Sequence, residues 1–151
     1  MENSNLKESR RLLEGKSKGT IGAAVETSSS KGLQIVQSHK GFFLCHFVVP
    51  NDLLDQHGNW HAGAIATLID NVGAAAVYSI AGHAQASVEF SVSFFSTAKS
   101  QEEVEIEAKV IEEQGKLIAY VVEIRRKSSG ELIAIGKQWT TIKAPPSSSR
   151  L

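Results

Sequence analysis

One carboxylate and one imidazole stand out in the stretch His61–Ile80, HAGAIATLIDNVGAAAVYSI, where nearly every other residue is small or apolar. A carboxylate in apolar surroundings is costly unless it has partners or a task. Lys and Arg are absent from Phe47 through Ala98, so Asp70 has no basic partner nearby in the sequence. Such a group is a candidate general base with a perturbed titration. At the start of the same stretch, His61-Ala62-Gly63 opens a helix. Backbone N–H groups of a first helical turn lack intrahelical acceptors and lie at the positive end of the dipole. Ala62 and Gly63 supply such groups here, and small residues let a ligand approach the backbone closely. A carbonyl held there would have its developing negative charge stabilised. A base and an oxyanion site are the two halves of attack on a carbonyl carbon.

Geometry keeps those halves apart within one chain. His61 and Asp70 are 70 − 61 = 9 residues apart, roughly 13–14 Å along a helix. Two antiparallel copies of the helix can bring the start of one beside the middle of the other, so the spacing predicts a two-fold dimer with composite sites. His61 itself has two readings: it fixes the turn before the helix, or it touches substrate. His57 and His61, with Asp55 nearby, invite a metal reading. Gly58-Asn59 interrupts any continuous helix there and no HExxH pattern exists, so no metal is expected.

The positioning elements follow from periodicity. A helix apolar on all sides is a buried helix and needs cover on all sides. Its Gly/Ala content, Asp70 and the lack of strongly charged flanks argue against a membrane span. Upstream, residues 1–5 read as disordered, Leu6–Gly15 as a short helix stopped by Gly15, and Lys16–Lys31 as a loop with an extended piece at Ile21–Val25. Leu33–Gln37 and Phe42–Val49 read as strands about the His39-Lys40-Gly41 turn. Downstream, Val88, Phe90, Val92 and Phe94 alternate with polar residues within a strand over Ala84–Phe95. A half-buried strand at Val104–Val110, then Leu117–Arg126 and Leu132–Ile142, are joined by short turns as an antiparallel meander. The expected class is α+β: a long central helix wrapped by a curved antiparallel sheet of about five to six strands. The expected divisions are an N-terminal helix and loop at 1–32, the principal domain at 33–143 and a flexible tail at 144–151.

Composition narrows the field. The 151 residues carry 16 basic and 16 acidic side chains, and 42% are hydrophobic. No basic field favours nucleic acid. The single Cys45 excludes an internal disulfide and reads as a small buried hydrophobe. The N-terminus shows no apolar signal-peptide core.

NWHAGAIATLIDN, followed by Ser87-Val88-Glu89-Phe90, resembles the small single-domain hotdog-fold acyl-CoA thioesterases of the PaaI and thioesterase-superfamily-member-2 type. That family carries a His-Gly-Gly signature opening the central helix, an Asp nine positions after the His, and a Ser opening the next strand. These fall here on His61-Ala62-Gly63, Asp70 and Ser87. The resemblance covers about residues 40–142. It implies a hotdog fold, hydrolysis of an acyl-CoA thioester, coenzyme A as part of the substrate with no separate cofactor, and dimers often paired into tetramers. Ser87, which alone reads as an outward strand residue, gains a water-orienting role. Gln114-Gly115-Lys116 matches the hairpin that meets the nucleotide end of coenzyme A, and Phe94 is grouped with those contacts. Lys99 and Arg126 are further candidates for its phosphates. Two positions depart from the pattern. Ala62 replaces the first signature Gly but keeps its N–H. Asp55 stands where the family commonly has an Asn, and an ionised carboxylate cannot donate a hydrogen bond.

The expected acyl walls are Ile65, Leu68 and Ile69 with Val88, Phe90 and Phe94. Each buried methylene contributes about 0.8 kcal/mol, so a medium-to-long fatty acyl group is the first expectation and an aromatic one the second. A non-catalytic acyl-CoA binding module is the alternative outside enzymology, and Asp70 argues against it. Hotdog hydratases would need a His-x-x-x-x-Pro-Gly pattern, which the sequence lacks. Ser149-Arg150-Leu151 resembles the C-terminal Ser-Lys-Leu address read by the peroxisomal import receptor, so the expected location is the peroxisome, with the cytoplasm as alternative.

Overall fold

The computed structural model describes residues 3–83 and 86–142. The expected tail, with Ser149-Arg150-Leu151, lies outside the described residues, as does Ala84 at the start of the expected third strand.

Helix α1 (Ser4–Lys18) begins earlier and ends later than its sequence pattern suggests. Asn3 Oδ1 accepts from the N–H groups of Asn5 at 2.8 Å and Leu6 at 3.3 Å, so order begins at a side-chain cap where disorder was expected. Gly15, the expected stop, lies inside the helix; the turn closes at Gly19, which has a left-handed φ of 75°. The missing side chain of Gly15 serves packing instead, because a Cβ there would fall 2.5 Å from Ile21 Cδ1. A second short helix, α2 (Ala24–Ser30), replaces much of the expected loop and extended piece. Its serines are weak helix formers, and contact with the central helix decides the matter. Asn71 Nδ2 donates to Glu26 O at 3.1 Å and to Ser30 Oγ at 2.6 Å.

The remaining elements are β1 (Gln34–His39), β2 (Phe42–Val48), the central helix α3 (Ala62–Ala81), β3 (Ser87–Phe94), β4 (Glu103–Gln114), β5 (Leu117–Arg126) and β6 (Leu132–Thr141). The six strands form one antiparallel sheet in the order β1-β2-β4-β5-β6-β3. The β4-β5-β6 meander is as expected. β3 crosses to the far edge, where it pairs with β6.

The sheet's inner face explains the fit of α3. Phe43, Cys45 and Phe47 lie opposite Ala108, Ile106 and Val104, and all six are buried. Cys45 is the small core residue expected, and burial pushes its thiol pKa up to about 12. Gly73 on α3 leaves room for the buried Tyr120 ring, since a Cβ would lie 1.9 Å from it. Gly136 on β6 does the same for Ile69, whose Cγ2 would be 2.4 Å from a Cβ. Ile65, Leu68 and Ile69, expected to be ligand walls, are therefore core: they are 3%, 0% and 0% exposed. α3 is long and apolar enough to cross a membrane by length and composition, yet most of it is buried within the domain.

Candidate active site

α3 turns a different side toward α1 and α2. Asp70, Asn71, Ala74, Ala75 and Tyr78 form a stripe at helical spacing that lines a cavity of about 350 Å³. α1 contributes Ser9, Leu12, Leu13 and Lys16, the α1–α2 connection Ile21 and Gly22, and α2 Glu26. The sheet contributes Ser87, Gln138 and Thr140. Asp70 and Ser87 thus reach one cavity from α3 and from the start of β3.

Hydrogen bonds link the sheet side of this cavity. Tyr120 Oη donates to Gln138 Oε1 at 3.0 Å, and Gln138 Nε2 donates to Ser87 Oγ at 3.0 Å. The Gln138 amide has a second N–H to offer. Burial pushes the Asp70 carboxyl above its ordinary range. The Lys16 charge and hydrogen bonding from Gln138 and Tyr120 pull it back, while Glu26 adds to the rise. Tyr120 is raised in turn, by burial first and then by the Asp70 charge. The site therefore has a carboxylate of raised proton affinity beside a serine hydroxyl fixed by an amide.

The expected oxyanion donors lie at the other end of α3. His61 is the N-cap: its Nδ1 accepts the Gly63 N–H at 2.9 Å, which puts any proton of a neutral ring on Nε2. Ile65 N–H then donates to His61 O at 3.0 Å. The Gly63 donor, expected to face a ligand, is thus engaged by the cap, while Ala62 and Gly63 are both solvent-exposed. His61, Gly63, Ala64 and Thr67 line an open depression with Leu53, Leu54 and Val25, separate from the Asp70 cavity. Asp55 holds its own loop. Its Oδ1 accepts from His57 N at 2.8 Å and Asn59 N at 3.0 Å, and those bonds, Asn59's first, hold the carboxyl below its ordinary range.

The family model of the thioesterase superfamily matches residues 57–133. The chain belongs to the thioesterase superfamily. It is a thioester hydrolase by that membership, with the hotdog fold. It is 32% identical to human acyl-coenzyme A thioesterase 13 over 107 residues, which cover 70% of this chain and 76% of that protein. Among solved structures, zebra fish thioesterase superfamily member 2 superposes with a TM-score of 0.80 at 23% identity, covering 91% of this chain and 98% of that one. A hypothetical thioesterase from Streptococcus pneumoniae, solved with coenzyme A, gives 0.72 at 19% identity over 80% of this chain and 92% of that one.

Within one chain of this thioesterase, the expected coenzyme A residues do not line the Asp70 cavity. Gln114, Gly115 and Lys116 form the exposed β4–β5 turn, with Gly115 at φ 59° and Gln114 Nε2 bonded to Glu112 Oε1 at 2.6 Å. Phe94 projects from the inner face of the edge strand and is exposed. Arg126 is committed to Glu102, Glu131 and the Thr97 carbonyl, which removes it from the phosphate candidates. The sequence reading missed Lys16, Glu26, Tyr120, Gln138 and Thr140. A signal existed for two of these: Ala134 and Gly136 set the inward alternation of β6, and Gln138 and Thr140 continue it with polar side chains.

Proposed function

We propose that this thioesterase hydrolyses the thioester of a fatty acyl-CoA of medium to long chain, with Asp70 as general base or nucleophile. The carrying observation is the Asp70 carboxylate, raised by burial, in a cavity it shares with Ser87. The relatives named acyl-coenzyme A thioesterase and the coenzyme A-bound neighbour support the substrate class. As base, Asp70 takes a proton from water as the oxygen attacks the thioester carbon. The oxyanion faces first-turn amides, and the tetrahedral intermediate collapses with loss of the coenzyme A thiolate. The carbonyl oxygen meets the Ala62 N–H directly and competes with His61 Nδ1 for that of Gly63. Leu12, Leu13, Ile21 and Ala74 offer the acyl group an apolar wall between α1 and α3.

The site is completed by a second copy of the chain. The spacing of α3 separates its start from Asp70. On β3, Val88, Phe90 and Phe94 are 57%, 39% and 49% exposed in one chain, and Phe95 just after it is 59% exposed, at the sheet's open edge. An edge strand with uncovered aromatics calls for a partner. A homodimer across this edge covers them, and dimers pair further into tetramers. Coenzyme A then reaches the neighbouring Gln114-Gly115-Lys116 turn from a shared site.

Two measurements test this. Asp70→Asn should lower kcat by two or more orders of magnitude with the fold intact; near-normal turnover sinks the assignment. Mixed dimers of Asp70→Asn with Ala62→Pro chains should regain activity in the one site where both halves are wild type. Ala62 is the first helical residue and His61 is extended at ψ 131°, a setting that accepts proline while deleting the N–H. Mixed dimers that form and stay inactive exclude the shared site.

An aromatic acyl-CoA is the second reading. The observation favouring it is the modest 350 Å³ cavity, in which Tyr78, Lys16 and Thr140 stand among the apolar residues. Values of kcat/KM across straight-chain and two aromatic acyl-CoAs decide between them. We also carry peroxisomal delivery as a proposal: with Leu151 as the free carboxyl end, a reporter fused before the last ten residues should become punctate, and removing Leu151 should abolish that.

A further inference from the structure

The Asp70 cavity contains a charged pair that the hydrolytic scheme does not use. Lys16, in the last turn of α1, and Glu26, in the first turn of α2, both line it, with Nζ and Oε2 3.5 Å apart. Their side chains are 20% and 36% exposed. Two features hold the pair in place. Gly22, at φ 104°, leaves the space it occupies: a Cβ there would lie 2.6 Å from Glu26 Oε2 and 3.4 Å from Lys16 Cγ. Asn71, the residue after Asp70, takes the Glu26 carbonyl at 3.1 Å and so fixes α2 beside the carboxylate.

The surroundings of Asp70 contain few other charges. From α3 the cavity receives only Tyr78 as a further titratable group, from β3 Ser87, and from β6 Gln138 and Thr140. Tyr120 approaches from β5 with a hydroxyl held in its neutral form. Lys16 is the single cationic side chain among the described residues of the cavity wall, and Glu26 the single other carboxylate. A nearby cation favours an ionised carboxylate, and a nearby anion opposes it. Lys16 can serve Asp70 fully only to the extent that Glu26 does not hold it.

We propose that Lys16 is a positioning residue for the hydrolytic step, keeping Asp70 ionised and directed into the cavity, and that Glu26 tunes this by competing for the same ammonium group. The inference rests on Asp70 acting as base or nucleophile. It makes the N-terminal helices part of the active site, although the chemistry-bearing motif begins 45 residues after Lys16 (61 − 16).

The test uses the full chain, with pH–rate profiles on a saturating acyl-CoA and a site-resolved carboxyl-carbon NMR titration of Asp70. Lys16→Met should move the acid limb of kcat to higher pH, with a loss of about tenfold at the acid end and less than about twofold at the alkaline plateau. Glu26→Gln should move the limb to lower pH, and Lys16→Arg should restore the wild-type profile. The NMR titration of Asp70 should move in the same directions, whether or not Asp70 is catalytic. If Lys16→Met and Glu26→Gln alter melting temperature or overall rate while the acid limb and the titration stay in place, the pair is only a clasp between α1 and α2 and the inference fails. Should Lys16→Met not fold, Glu26→Gln alone decides, because an unmoved limb overturns the proposal. An active Asp70→Asn enzyme is a separate outcome: it removes the base assignment, and the titration still reports on Lys16.

Discussion

The two faces of α3 are built from the same kinds of residue and do opposite work. The sheet face carries Ile65, Leu68, Ile69, Val72 and Ala76, all sealed, with Gly73 and Gly136 letting helix and sheet approach. The face toward α1 and α2 carries Asp70, Asn71, Ala74, Ala75 and Tyr78, and it leaves a cavity. Interiors are close-packed because large and small residues interdigitate. On the sheet face every glycine is answered by a bulky side chain opposite. On the cavity face small residues meet a short helix pair that does not fill the space. A mostly apolar helix can therefore be core on one side and cavity wall on the other, and the residues across from it decide which.

The largest test of this contrast leaves the sheet face untouched. Asp70→Asn removes the carboxylate and keeps its shape. Its expected kcat loss of at least a hundredfold corresponds to about 2.7 kcal/mol of barrier. The urea midpoint, which reports the sheet face, should not fall. A protein that loses activity and folding together would show that Asp70 belongs to the core as much as to the cavity.

The converse substitution strikes the sheet face. Gly73→Ala sets a methyl 1.9 Å from a carbon of the fully buried Tyr120 ring. Overpacking of this kind costs about 1–3 kcal/mol. Tyr120 also bonds Gln138, so some activity should be lost with stability. Ala74→Gly, one residue along on the cavity face, meets no such ring and should cost only about the helix-propensity difference, near 1 kcal/mol. Thermal melts of the pair measure the contrast. Equal costs would mean that Tyr120 has room to move and that the two faces pack alike.

The sequence makes one of these faces far more legible than the other. The central helix, the antiparallel class, the meander and the candidate Asp70 follow from patterns inside single elements, whereas Ser87 is a candidate only through the family resemblance. A period of 3.6 or 2 is a local property. The cavity depends on what comes across from elsewhere. Lys16 and Glu26 lie in a Ser/Gly-rich stretch whose second helix is stabilised by Asn71, 45 residues downstream of Glu26 (71 − 26). Nothing in its own composition announces that. The helix half of the expected acyl wall is core for the same reason. Ile65, Leu68 and Ile69 are apolar enough to line a pocket, but Gly136 lets the sheet close on them. Asp70 likewise has no basic neighbour in sequence, and the fold supplies Lys16.

A smaller effect separates the start of α3 from its middle. His61→Ala removes the acceptor of the Gly63 N–H and should cost about 1 kcal/mol, as loss of a cap usually does. His61→Asn, a good capping residue, should recover most of it. With the cap alone at stake, kcat should follow the amount of folded protein in His61→Asn, which keeps an acceptor on the Gly63 N–H. A tenfold or greater loss in His61→Asn with its melting temperature restored would show that the imidazole touches substrate.

The smallest expected effect is on stability, and its sign is opposite to that of most active-site substitutions. Burial raises the Asp70 carboxyl above its ordinary value of 3.8, with Lys16 opposing and Glu26 reinforcing the rise. Between that value and the raised one, the folded chain binds more protons than the unfolded chain, so stability falls as pH rises through the window. Above the window the ionised carboxylate leaves the folded state less stable than a neutral side chain of the same size would. Asp70→Asn should therefore be more stable than the wild type at pH 7–8. The advantage should shrink as pH drops through the raised value and vanish below the ordinary carboxylate range. Urea midpoints of the two proteins between pH 3.5 and 8 measure it. A functional group held at some cost to stability is a recurring feature of active sites. The opposite result, with Asp70→Asn the weaker protein at pH 8 and the gap closing in acid, would mean that Lys16, Gln138 and Tyr120 outweigh burial, and that Asp70 is tied into the structure as firmly as the residues on the sheet face.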